Sequence, residues 1–207
     1  MVGRAGAQLP VKSWRAFFAA AISDRRGIAA LEFALIAPLL LSMYFVTMEV
    51  AQGIEVNKKV SRVGSMVADL ITQQQTLKKA DIDAIMAIGE GTLQPYNRSR
   101  PKIVVTAIAV TDEATPKAKV VWSRKIVDGT TSVGDAAGSE VSIPSSLKTK
   151  NTFLIRVEST LAYKPVITWA AAEKSTLGLA AAFDGISMKE SYHLRPRMTA
   201  SIPCSDC

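Results

Sequence analysis

Few side chains in this sequence are equipped for chemistry. Cys204 and Cys207 form a C-x-x-C pair close to the C-terminus, which reads as a redox couple or as half of a zinc site. Zinc requires two more ligands, and His193 is the single histidine. A thioredoxin-type motif sits at a helix start after a strand, whereas this pair ends a tail. A local disulfide formed in an oxidising compartment is therefore favoured. So small a loop is expected to add little stability, and an interchain bridge stays open as an alternative. Asp81 and Asp83 are paired carboxylates of the kind used for metal or acid chemistry, but their setting predicts a solvated helix face. His193, beside Tyr192, reads as a surface or packing residue. The sequence has no phosphate loop, no H-E-x-x-H, no G-x-S-x-G and no second histidine for a proton shuttle. The expectation is no enzyme, no cofactor and no metal.

The remaining chemical oddity is Glu32. It stands a few residues inside an apolar run from Ile28 to about Val50. At 1.5 Å per residue that run makes a helix about 34 Å long, enough for a hydrocarbon core of about 30 Å. A carboxylate at the centre of a span costs roughly 2.5–3.5 kcal/mol on insertion scales. Gly27 suggests how that cost is offset. Cleavage after it would leave Ile28 with a free amine one helical turn from Glu32, on the same chain or a neighbouring one. The plainer reading puts Glu32 among the headgroups, where its cost is small. Arg4, Lys12, Arg15, Arg25 and Arg26 precede the run against Asp24 alone, so the positive-inside rule keeps the N-terminus cytoplasmic. A secretory signal peptide is the rival for this region. The length of the run, the early glutamate and the lack of a convincing A-x-A site stand against it.

The string Arg25-Arg26-Gly27-Ile28-Ala29-Ala30-Leu31-Glu32-Phe33-Ala34-Leu35-Ile36-Ala37-Pro38 resembles the processing site of type IV prepilins. Its form is most similar to that of the TadE-like pseudopilins of tight-adherence (Flp-type) pilus systems. Basic pair, glycine, glutamate, aromatic and proline fall together, and the resemblance covers about Asp24 to Gln52. It implies a membrane prepilin peptidase cutting between Gly27 and Ile28. The partners it implies are the inner membrane, that peptidase, other pilins or pseudopilins and the pilus assembly machinery. Phe33 stands where the main pilin of such systems usually has tyrosine. With the length of the chain, this favours an accessory subunit over the bulk filament protein. The function implied is a minor pseudopilin, inserted in the inner membrane with its C-terminal domain periplasmic. A membrane-tethered periplasmic binding module is the alternative, and an exported thiol oxidoreductase using Cys204 and Cys207 a distant third.

Of 207 residues, about 150 remain beyond the leader and span, enough for one ordinary domain. The net charge of +7 invites a nucleic-acid reading, but the leader holds four net positive charges and its removal leaves +3. With no basic cluster interleaved with aromatics, nucleic acid is not an expected partner.

These features divide the chain into a cytoplasmic leader (1–27), a transmembrane and extended helix (28–72) and a periplasmic α+β domain (73–207) built on an antiparallel sheet. In the leader, Trp14, Phe17, Phe18 and Ile22 have helical spacing and suit the inner leaflet. Pro38 is expected to bend the span. Beyond the membrane, Val56, Val60, Val63, Val67 and Leu70 recur at three- and four-residue steps, a stripe that should join span and domain in one rod. Gly53 and Gly64 mark places for a bend or break. A second helix is expected from a Thr76 cap through Ile88, with Ile82, Ile85 and Met86 inward and Gly89 and Gly91 ending it. Strands are expected at Lys102–Thr111 and Lys119–Val127, joined as a hairpin, and at Thr152–Lys164 and Ile186–Arg195. Asp128 to Ser139 reads as a mobile loop. The alternation of Phe153, Ile155, Val157, Leu161 and Tyr163 with Arg156, Glu158, Thr160 and Lys164 predicts one wet sheet face. Pro165 to Asp184, with Trp169, fits no element clearly.

Overall fold

Glu32 lies in the first turns of helix α1, Ile28–Thr72. The structure, a computed structural model, describes residues 27–96, 98–165 and 186–207. The basic pair Arg25 and Arg26, the leader's aromatic patch and the segment around Trp169 lie outside the described residues. The chain divides into two compact units, Met1–Thr47 and Met48–Cys207, and α1 has residues in both.

In the first unit the described residues belong to α1, preceded by Gly27. The helix runs on through Pro38. Leu31, Phe33, Leu35, Leu39, Leu40 and Tyr44 are all exposed. The Ser42 and Thr47 hydroxyls bond back into the helix, Ser42 Oγ to Leu39 O and Thr47 Oγ1 to Met43 O, both at 2.8 Å. In hydrocarbon that is the only economical way to satisfy them. By length and composition α1 can cross a membrane, consistent with a single-pass anchor.

The second unit is α+β. Beyond its part of α1 it contains α2 (Lys79–Gly91), β1 (Lys102–Val110), β2 (Ala118–Val127), β3 (Thr130–Val133), a 3₁₀ turn at Ser145–Leu147, β4 (Phe153–Ala162) and β5 (Ser187–Leu194). The five strands form one antiparallel sheet in the order β3-β2-β1-β4-β5. The apolar stripe of α1 packs on one face. Val56, Val60, Val63, Val67 and Ile71 join Ile82 and Met86 of α2 against Ile103, Val105, Ala107, Ile155, Val157 and Leu161. Leu70, expected in the stripe, is only half-buried, and Ile71 with Ala68 takes the inward position.

Neither Gly53 nor Gly64 interrupts α1. Gly64 is instead the point where the helix meets the sheet: an added Cβ would lie 2.8 Å from Tyr192 Cδ2 and 3.0 Å from Ser159 Oγ. Gly89 does not end α2. It lies inside the helix, where a Cβ would meet Val67 at 2.8 Å and Ile103 and Val63 at 3.3 Å. Both glycines serve close approach between elements.

Three further expectations are corrected. The helix α2 begins after Lys78, whose N–H donates to Asp81 Oδ2 at 3.0 Å. Thr76 is not its cap because Leu77 is drawn into a bridge with Cys204. The segment 128–139 contains β3, turned back onto β2 by Asp128-Gly129, both at positive φ (51° and 79°). That dipeptide is a hairpin signal in its own right. Finally, the second sheet face is not simply wet. Val141, Ile143 and Leu147 cover Ile108, Val110, Ala118 and Leu154 in a smaller second core. On the same face Asp135 pairs with the nearly buried Arg156 at 2.9 Å. The loop polarity that suggests solvent conceals these covering residues.

Candidate functional site

The processing-site and cysteine residues singled out by the sequence fall at two separate places. Gly27 and Ile28 open α1, and Glu32 follows Ile28 by four positions, so the two share a helical face. Gly27 is exposed, and an added Cβ there would meet nothing within 4 Å. Nor does it adopt the positive φ seen at Gly129 and Gly138. The described fold therefore has no use for a glycine at 27, unlike 64 or 89. Glu32 and Phe33 are exposed, Phe33 by 73%, and no described side chain pairs with Glu32. An aromatic ring displayed on an apolar helix suits lipid or another helix, whereas a carboxylate there calls for a polar or charged partner.

At the other place Cys204 and Cys207 are joined in a disulfide. With Asp206 the three donor groups lie within 4.8 Å of one another, but sulfurs bonded to each other offer no thiolate to a metal. The tail carrying them is fixed. Ile202 is fully buried, and its carbonyl accepts from the Trp122 indole at 2.8 Å. Arg197 pairs with Asp69, and its N–H donates to Thr72 O at 3.0 Å.

Sequence reasoning missed two buried charged groups. Glu49 is 4% exposed and accepts from Tyr163 Oη at 2.5 Å. Burial, then the Glu49 hydrogen bond and charge, push the Tyr163 phenol well above its usual range. Tyr96 stacks on Tyr163 at 5.8 Å, and its hydroxyl accepts from Lys164 N at 2.8 Å. A cavity of about 540 Å³ opens beside the pair, lined in part by Gly53, Lys58, Met188 and Lys189. The signal was the acid in Met48-Glu49-Val50, at the end of the apolar run. The second group is Arg124, whose guanidinium grips Asp83 through Nε–Oδ1 at 3.1 Å and Nη2–Oδ2 at 2.5 Å. Asp83 is thus an ion-pair partner, not part of a solvated face. A lone arginine in a β2 stretch full of valines was the available sign.

His193 is half-buried on β5 opposite Arg156 of β4, and its Nε2 is buried without a partner among the described residues. Burial, and next the Arg156 charge, lower its pKa below 6.5, against a smaller pull from Glu158. For a base with a depressed folded pKa, stability is intact above the unfolded value and lost as pH falls through the folded one. The thermal stability of the wild type should therefore fall below about pH 6.5, and His193→Gln should flatten that slope. Parallel slopes would refute the assignment.

No curated protein and no solved structure matches the chain. A family match does exist, and it reaches from Gly27 through the apolar run to the buried stripe of α1. Residues 27–69 are similar to the family described as TadE-like protein.

Proposed function

We propose that this protein is a minor pseudopilin of a tight-adherence pilus, a structural and assembly subunit with no catalytic role of its own. The observation that carries this reading is Gly27. No described neighbour requires a glycine there, yet it opens the segment similar to TadE-like proteins, which supports a requirement set by a processing enzyme. A prepilin peptidase would add water across the Gly27–Ile28 amide, leaving a carboxylate on Gly27 and an amine on Ile28. That amine protonates and stands four residues from Glu32, which offsets the cost of holding an acid in lipid. The basic residues before Gly27 keep the leader on the cytoplasmic side of the inner membrane, with the sheet domain in the periplasm. The exposed apolar face of α1 then packs against other pilin-like helices, where side-chain packing and polar pairing drive association.

The test is the mass of the mature N-terminus in a host that has the peptidase. The expected chain begins at Ile28. Gly27→Leu should lower the processed form by about tenfold or more, since a cleft shaped for glycine excludes a branched side chain. Glu32→Gln should be processed but fail to support piliation. An intact leader in wild-type protein, or normal processing and piliation in both variants, would refute the proposal and leave a tethered domain.

A further inference from the structure

The C-terminal tail does more than end the chain. It runs beside the linker between α1 and α2, with Leu77 N–H donating to Pro203 O and Ser205 N–H to Leu77 O, both at 3.0 Å. These bonds bring the Cys204–Cys207 ring to the start of α2. Inside the ring stands Asp206, and its Oδ1 accepts from the backbone N–H of Lys79 at 2.7 Å. Lys79 is the first residue of α2, so this N–H is one of the four donors that a helix start leaves unsatisfied. Lys78 has no short polar side chain to cap it. To the local Asp81 bond at Lys78 N–H the helix thus adds a cap for Lys79 borrowed from 127 residues away, and the carboxylate suits the positive end of the helix dipole.

Among the described residues, the other polar approach to Asp206 Oδ1 is Cys204 Sγ at 3.6 Å, a disulfide sulfur with no hydrogen to donate, so no second anchor holds it there. Ser205 is tied to Leu77, but past it the tail is exposed, and what closes the chain around Asp206 is the covalent bond from Cys207 to Cys204. We propose that Cys204 and Cys207 are the acceptor dithiol of a protein thiol–disulfide oxidase, and that the bond installed there latches Asp206 onto α2. In the exchange one cysteine thiolate attacks the donor's disulfide, forming a mixed disulfide and releasing one donor thiolate. The second cysteine thiolate attacks the mixed disulfide, closing the Cys204–Cys207 bond and releasing the other. This chain loses two electrons and two protons, and the donor gains both as a dithiol. Cys207 is exposed and Cys204 half-buried, so the donor has access to the pair. The bond sets a local cap, and the core that Ile202 completes is held by other contacts. The inference does not depend on the pilus reading.

The test uses the full chain in detergent micelles. Hydrogen exchange at the Lys79 amide is compared in oxidised protein and in protein reduced with a phosphine, thiols being titrated in each. Reduction should speed exchange at Lys79 about tenfold, the scale of losing one cap, while the amides of β1 and β4 stay protected. Asp206→Ala should give the same fast exchange with the disulfide intact, and reduction should then add little. Reduced wild type incubated with an oxidised thiol–disulfide oxidase should lose two hydrogens by mass and recover slow exchange. Three results would overturn the proposal: unchanged exchange at Lys79 in fully reduced protein, collapse of the whole domain on reduction, or no oxidation of the pair by the donor.

Discussion

Gly64→Leu is expected to cost the sheet domain about 3 kcal/mol or more, the upper range for overpacking a core. The reason is that neither neighbour can yield. Tyr192, whose ring lies over Gly64, is held at its far end by a 2.5 Å hydrogen bond with Ser61, one turn earlier on the same helix. Its backbone is fixed opposite Val157 in the β4–β5 ladder. Ser159 donates its hydroxyl to Val60 O at 3.1 Å and is fully buried, so pushing it aside breaks a polar link between helix and sheet. Alanine decides between two opposing effects. It gains about 1 kcal/mol of helix propensity, but its Cβ arrives 2.8 Å from the ring, a contact costing about 1–3 kcal/mol to relieve. A net loss is the expected sign for Gly64→Ala. Gly91→Ala, with open space around it, should be neutral or slightly stabilising. Equilibrium unfolding of the three variants checks the ranking, and a Gly64→Ala variant at least as stable as wild type would show that the helix and sheet have room to part.

The second large effect belongs to Asp83. Removing its carboxylate by Asp83→Ala strands Arg124, whose side chain is only 9% exposed, as a buried cation without its bidentate partner. Such losses run to about 3–5 kcal/mol, and the lower end applies here because Asp83 is itself partly in water. The reciprocal change, Arg124→Ala, leaves an acid that can hydrate and should cost less, with part of its loss coming from packing of the arginine stem. The double variant Asp83→Leu with Arg124→Met should recover most of the stability, because two apolar groups leave no charge stranded. A double-mutant cycle in denaturant measures this coupling. Equal costs for the two single variants and no recovery in the double would mean that the pair contributes through shape alone.

The contrast between these residues explains what the sequence disclosed and what it hid. Periodicity carried the α+β class, the helix from Ile28 and the main strands, because Val56, Val60, Val63 and Val67 repeat only if one helix face is covered. The pairing of Arg124 with Asp83 joins residues 41 positions apart, and local spacing holds no trace of such a distance. Gly64 and Gly89 read as weak points because glycine lowers helix propensity. Their use becomes visible only when a tyrosine ring and a valine arrive from other elements. Asp128-Gly129 was legible as a tight turn, but the polar residues after it drew the reading toward a loop. At the N-terminal motif the situation reverses. Gly27 and Glu32 stand out in the sequence, while the described fold makes no demand on either.

The burial of Ile202 bears on when this protein reaches its final form. The core is closed in part by the fully buried side chain of Ile202, whose carbonyl accepts from the Trp122 indole. Trp122 and Ile202 stand 80 positions apart along the chain, so this contact closes late, after the β1–β2 and β2–β3 hairpins that need only short loops. Until then the valine face of α1 is without part of its cover, an interval in which chaperones or neighbouring subunits have access to it.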